Sequence, residues 1–392
     1  MKIGVDASCW ANQRGFGRFT RELLRALVAL DAENDYVFFA DDETARHSRF
    51  PEGVAVAAGA TSAAPTQAAS ASGRRSIRDV WALTREVLRH DLDLFFFPAV
   101  YSYFPVLNRT RVIVTLHDVI ADHHPQATFP NKKLMYFWKA KQQLALRQAD
   151  LVLTVSDYSK REICDYFGLP EHQVQVTTEA ASDEFRRVDR NGTMTDVLRR
   201  TGLRPDERFL LYVGGISPHK NLGVLVDAFG RLLAEPACAD VRLVLVGDYE
   251  RDVFLSDYPR LQQQVEAAGL REHVRFAGYV PDADLVYLYN AAAMLVFPSL
   301  EEGFGLPAVE AMACGTPVVA SDRGSLPEIL GDAGHFFDPT EPEAVRQALR
   351  TVLADDALRA AMRQRGLART RQFTWEAAAR KTLRIFEQTV RG

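Results

Sequence analysis

Short, mostly apolar runs alternate with amphipathic stretches along the chain. In the first half the runs are residues 2–7, 36–40, 91–97, 111–116 and 151–155. In the second half they are 209–213, 241–246, 274–277, 294–297 and 316–320. Runs of this length without alternation read as strands buried on both faces. Leu23, Leu24, Leu27 and Leu30 recur at helical spacing, which predicts an amphipathic helix to about residue 30. The same reasoning predicts helices over 131–149, 222–233 and 282–290, two within 341–371, and a last one from about 373 to 390. Strand followed by helix, repeated in two loosely similar halves, is an α/β pattern. Residues 178–191 carry many charges and few large apolar side chains, and they read as the linker between the halves.

One stretch concentrates the chemistry: residues 297–321, FPSLEEGFGLPAVEAMACGTPVVAS. It reads as strand, glycine loop, short helix and strand. Glu301 and Glu302 stand at the carboxyl end of the strand, before the loop Gly303-Phe304-Gly305-Leu306. Pro307 suits the first helical position, where its missing N–H costs nothing. Glu310 then falls in the first helical turn, and Gly315 stops the helix. Glycines admit backbone to a ligand, and a helix start offers N–H groups and a positive dipole end to phosphate. A carboxylate on each side of that anion cradle suits hydroxyl groups flanking a diphosphate. A nucleotide sugar has this layout: ribose, diphosphate, sugar. Glu310 also fits a plain first-turn acid favoured by the dipole.

Three other stretches belong with it. The loop 214–221, GGISPHKN, precedes the helix 222–233 and puts Lys220 at a glycine-rich helix start, a match for a diphosphate. Residues 12–18 place the loop Gly15-Phe16-Gly17 between the first strand and its helix. His117-Asp118 caps the strand 111–116, at the end where ligands of open α/β sheets collect.

These residues resemble the Glu-x7-Glu signature of the retaining glycosyltransferases of family 4, with Glu302 and Glu310 as the pair and GFGLP and EAMACGTPVV around them. The resemblance implies a GT-B fold, two Rossmann-like domains facing across a cleft. Residues 1–180 then form the acceptor-side domain, joined by a final helix 375–392 that crosses back, and 192–374 the nucleotide-sugar domain. It also implies roles. Glu302 contacts the transferred sugar and Glu310 the ribose hydroxyls. The backbone of Gly303, Phe304, Gly305 and Leu306 meets sugar and diphosphate, and Lys220 the phosphates. His117 contacts the donor sugar, Gly15 and Gly17 close over the diphosphate or line the acceptor entrance, and backbone at Val280 meets the base. The family commonly has an arginine five residues before the lysine, where this chain has Gly215. Ser217, His219, Arg14 and Arg18 are the candidates to supply that contact.

The implied reaction moves a hexose-type sugar from a nucleoside diphosphate to a hydroxyl of a carbohydrate or lipid-linked acceptor, with no cofactor and no metal, in polysaccharide or glycoconjugate synthesis. Three rivals share parts of this pattern: a sugar-nucleotide epimerase, a phosphorylase, and a non-catalytic nucleotide-sugar-binding protein.

Composition narrows the setting. The chain of 392 residues is 47% hydrophobic and 25% charged, with net charge -4. That suits two packed domains and not a nucleic-acid binder. Cys9, Cys164, Cys238 and Cys314 are far apart, with neither zinc nor disulfide spacing. With no signal-peptide pattern and no long apolar span, the expected location is cytoplasmic. Lys132, Lys133, Lys139 and Lys141 beside Met135, Phe137 and Trp138 fit either a helix on an anionic membrane face or one packed on a core. Tyr101, Tyr103 and Phe104 fit an acceptor wall or simple packing. Asp41-Asp42-Glu43 reads as a solvated loop after the second strand. Residues 57–76 are small and polar and end near Arg74, Arg75 and Arg78; they are expected to be mobile and to border the acceptor site.

Overall fold

In the computed structural model, which describes residues 1–12, 14–59, 76–249 and 256–392, the apolar runs form two parallel sheets. The first sheet contains β1 (Lys2–Asp6), β2 (Asp35–Asp41), β3 (Ala55–Gly59), β4 (Leu94–Phe97), β5 (Arg111–Thr115), β6 (Leu151–Thr154) and β7 (Val174–Val176). Its order is β3-β2-β1-β4-β5-β6-β7. The second contains β8 (Phe209–Val213), β9 (Arg242–Val246), β10 (Val274–Gly278), β11 (Met294–Phe297), β12 (Val318–Ser321) and β13 (Gly334–Phe337), in the order β10-β9-β8-β11-β12-β13. The central strands are buried on both faces, as their uniform apolarity requires. The edge strands β3, β7 and β13 are only partly buried; β3 is a run of small apolar residues that takes in residues 57–59 of the segment expected to be mobile, and β7 and β13 carry polar positions at Gln175 and His335.

The chain divides into two compact units, residues 1–179 with 375–392, and residues 180–374. The last helix, Trp375–Arg391, packs on the helix Gly15–Leu30 within the first unit. There Phe386 meets Phe96 with ring centroids 5.1 Å apart, and the Thr177 and Thr382 hydroxyls lie 3.1 Å from each other. Residues 180–191 belong to the second unit. Phe185 is buried against Tyr289, and the Asn290 side chain accepts from Val188 N–H at 2.9 Å. Among the described residues no helix is long and apolar enough to cross a membrane. Of the expected small polar segment, residues 60–75 lie outside the described residues.

Each sheet reverses its strand order once, between β1 and β4 and between β8 and β11. Loops leaving the carboxyl ends of such neighbours splay apart, and ligands of open α/β sheets bind in the gap.

Several local expectations are corrected. Gly15 opens a helix, so Gly15-Phe16-Gly17 is a first helical turn and not a loop. The need for glycine at position 17 is steric, since a Cβ there would lie 2.1 Å from Asn12 O. Asp41 closes β2 and is buried, and its carboxylate accepts from Thr44 N–H at 2.8 Å. It therefore caps the helix Asp42–His47, and no solvated loop follows the strand. The helix after the Gly303–Gly305 loop is Leu306–Ala313. Pro307 is thus its second residue, and Glu310 its fifth, beyond the first turn.

Candidate active site

In the second unit the loops after β8 and β11 meet at the reversal point. Asn221, in the left-handed region at φ 57°, donates through Nδ2 to Pro298 O at 3.3 Å and to Pro339 O at 2.7 Å. Leu300 N–H donates to His219 O at 2.9 Å. These bonds tie the two loops together and bring Lys220 against Glu302, with Nζ donating to Oε1 at 2.6 Å. Both side chains are largely shielded from water, so the attraction is weakly screened. Lys220 Nζ also stands 5.9 Å from the centre of the Phe297 ring. Ser325 N–H donates to Glu302 O at 3.1 Å, which holds the backbone of the acidic residue from its far side. Sequence patterns give no sign of that support, because it comes from a turn 23 positions on.

Gly305 needs to be glycine. Its φ is 91°, and a Cβ would lie 2.8 Å from Leu326 Cδ2. The chain turns there into the helix Leu306–Ala313. Pro307 has no N–H, and Ala308 N–H turns back to Gly305 O at 2.9 Å. The donors at this helix start therefore narrow to the N–H groups of Gly305 and Leu306. Gly303 and Leu306 are buried, and Phe304 packs edge-on against Phe373 at 5.7 Å. What this loop can offer a ligand is main chain. Glu310 is buried one turn into the helix, where Oε2 accepts from Tyr289 Oη–H at 2.9 Å. Tyr289, in the helix Asp282–Ala291, fixes this second carboxylate, a partnership that no local pattern announces.

The β8 loop holds the remaining candidates. Gly215 O accepts from Tyr212 Oη–H at 2.7 Å. Ser217 Oγ and His219 Nδ1 are 3.3 Å apart, and Ser217 is buried. Val280 follows β10, two strands from β8 at the sheet's edge and at the same carboxyl end. Lys220 and Glu302 are thus in contact in the second unit, with the Gly303–Leu306 main chain following Glu302 and Glu310 in the next helix, and Gly215 and Ser217 lie in the β8 loop.

His117, Gly15 and Gly17 belong to the first unit. His117 follows β5 and is buried, with its ring edge-on to Phe19 at 4.8 Å. Its Nε2 is 3.0 Å from Pro98 O, and its Nδ1 is 3.5 Å from Glu179 Oε1. Glu179 is itself buried and comes from the stretch read as linker, so nothing local in the sequence pairs it with His117. At the β1–β4 reversal, the buried Asp6 accepts from Ser102 Oγ–H and, at 3.1 Å, from Ser8 N–H. Tyr101 stacks on Trp138 at 5.2 Å and packs on Phe16 at 4.7 Å, and burial pushes its phenol well above the usual range. Tyr103 and Phe104 are buried among Phe95 and Phe97 and serve packing.

Comparison with known proteins agrees with this division. The family model described as Glycosyltransferase Family 4 matches residues 14–178, and that described as Glycosyl transferases group 1 matches residues 194–369. The chain is 35% identical over 313 residues to a protein named O-antigen chain mannosyltransferase B of Escherichia coli, covering 79% of this chain and 77% of that one. Among solved structures it is similar to sucrose-phosphate synthase from Thermosynechococcus elongatus, with TM-score 0.77, 22% identity and coverage of 99% and 98% of the two chains. It is also similar to Anabaena HepE in complex with UDP-glucose, with TM-score 0.73, 20% identity and coverage of 99% and 100%. These likenesses show the GT-B class, two Rossmann-like units in one chain.

Proposed function

The chain belongs to glycosyltransferase family 4, and from that membership we propose that it moves a hexosyl group from a nucleoside diphosphate to an acceptor hydroxyl of a growing polysaccharide, with retention at the anomeric carbon. Likeness to a protein named as an O-antigen mannosyltransferase favours mannose as the sugar. The observation that carries the reading is the Lys220–Glu302 contact beside the Gly305 turn. It sets a cation and two main-chain donors next to a carboxylate, as a leaving diphosphate and its sugar require.

In this reading charge grows on the diphosphate as the glycosidic bond breaks. Lys220 and the N–H groups of Gly305 and Leu306 stabilise it, and preorganised donors in a shielded site are effective at this. Glu302 orients the sugar hydroxyls and steadies positive charge at the anomeric carbon. Glu310, braced by Tyr289, holds the ribose. Ser217 and Gly215 line the donor side, backbone at Val280 meets the base, and His117 approaches the sugar. With these groups neutralising the diphosphate, the reaction runs without a divalent metal. We place it in the cytoplasm, in keeping with four buried cysteines among which no disulfide forms.

The test is incubation of the purified protein with GDP-, UDP- and dTDP-hexoses, with and without a glycan acceptor, and determination of product stereochemistry. Acceptor-dependent transfer with retained configuration is expected. Donor conversion without acceptor would make it an epimerase, and nucleotide binding without turnover would leave a binding protein.

A further inference from the structure

Eleven large apolar side chains are exposed among the described residues, and seven of them lie on or at the end of three helices on one side of the first sheet. That side carries the helices Ile77–Val87, Lys132–Gln148 and Asp157–Phe167. They lead from β3 to β4, β5 to β6 and β6 to β7. Right-handed crossovers that advance in one direction along a sheet put their helices on the same face. The loop after β4 joins the first two helices. Thr84 Oγ1–H donates to Pro105 O at 2.8 Å, and Gln148 Oε1 accepts from Val106 N–H at 3.0 Å. The face is therefore continuous.

Its composition is uneven in a telling way. Ile77, Trp81 and Leu88 form an exposed stripe, with exposed Arg78 and Arg85 beside them. Trp81 is 57% exposed. Across the loop, Tyr136, Phe137 and Leu144 form a second stripe, flanked by exposed Lys132, Lys133 and Arg147. Tyr136 is 65% exposed. The helix Lys132–Gln148 holds four lysines, one arginine and no acid, in a chain whose net charge is -4. A local surplus of bases opposite in sign to the whole molecule selects a negative partner. Trp and Tyr with a buried ring and a wet tip are the side chains favoured at a bilayer's headgroup level, and bases around them add attraction to anionic lipid. A second copy fits poorly, because a two-fold contact would set the base-only helix against itself.

We propose that this face of the first unit docks on an anionic phospholipid bilayer, with Trp81, Tyr136 and Phe137 seated among the headgroups and Lys132, Lys133, Arg78 and Arg85 on lipid phosphates. The inference stands without the transfer reaction. Combined with it, docking holds the protein where an acceptor carried on lipid is presented.

The test is flotation of the full chain with vesicles of phosphatidylcholine, alone or with about one third phosphatidylglycerol. Partition at least ~10-fold stronger into the anionic vesicles is expected, and it should weaken as salt rises. Lys132→Glu with Lys133→Glu should reduce it about fivefold or more for each base lost, from ~1 kcal/mol per base at an anionic surface. Trp81→Ser, Tyr136→Ser and Phe137→Ser together should reduce it ~10-fold or more. Circular dichroism and nucleoside diphosphate affinity should stay at parent values in both variants, which separates this test from the reading of the second unit. Equal binding to both vesicles, or variants that bind like the parent, would overturn the proposal. So would a dimer that the serine variant abolishes in a chain that does not float.

Discussion

Lys220 and Glu302 stand 82 positions apart, yet Nζ of the first donates to Oε1 of the second at 2.6 Å. The pair exists because β8 and β11 are neighbours in the sheet, although β9 and β10 intervene in the chain. Each group neutralises the other in a place that water barely reaches.

That mutual dependence predicts an asymmetry. Lys220→Met leaves Glu302 shielded and uncompensated, and removing one partner of a buried pair costs about 3–5 kcal/mol. The variant should melt well below the parent, and adding Glu302→Gln should restore most of the loss. Sugar transfer should fall ~100- to 1,000-fold in either single variant. Nucleoside diphosphate affinity, read by calorimetry, should collapse for Lys220→Met and persist for Glu302→Gln. A double variant that melts no higher than Lys220→Met would remove the electrostatic account.

On the role proposed for His117 at the transferred sugar, Glu179 should act on the reaction through it. Both groups are buried, with Nδ1 3.5 Å from Oε1, and the other ring nitrogen faces Pro98 O. Glu179→Gln keeps the volume and removes the charge that fixes the ring. We expect kcat to fall between about 10- and 100-fold, the scale of a small misplacement of a reacting group. KM for the donor nucleotide should stay near the parent value, because the proposed nucleotide-binding residues belong to the second unit. A large rise in KM with kcat intact would mean that Glu179 serves packing alone.

Asp122 sets a pH dependence of stability. Oδ2 accepts from Gln142 Nε2 at 2.9 Å and Trp138 Nε1 at 3.3 Å, while buried Oδ1 has no partner among the described residues. Desolvation raises its pKa above the ordinary 3.8, and the two hydrogen bonds only partly oppose this. A carboxyl raised on folding stabilises below its unfolded pKa, and that contribution is lost as pH rises through the folded value. Asp122→Asn keeps an acceptor and removes the charge. It should melt higher than the parent near neutral pH, with the gap closing in acid below about pH 4. Thermal melts across that range check this, and a gap that does not change with pH would contradict it.

Much of the molecule was legible along the chain. Central strands are buried on both faces, so they appear as apolar runs, and β8, β11 and the helix Leu222–Leu233 lie where those runs and periodicities put them, while β4 begins at Leu94, three residues later than expected. Signals failed where burial is partial or a boundary is set by contact. The strands β3, β7 and β13 went unread: β3 is built of small residues continuous with a small polar segment, while β7 and β13 are short and broken by Gln175 and His335. Gly15 begins a helix, and Gly17 in its first turn lies against Asn12, a close approach that no periodicity records.

By itself the sequence determined the α/β class, the glycine turn after β11, and the two acids with their lysine as site candidates. These follow from local rules: where apolar side chains must hide, where φ must be positive, where a helix offers N–H groups. The tertiary structure alone decided the partners, Lys220 with Glu302, Tyr289 with Glu310, Ser325 with the Glu302 backbone, and Glu179 with His117. It also decided which faces stay wet, including the base-rich side of the first sheet. Those outcomes depend on strand order, which brings distant loops to one edge and is set by the packing of whole elements.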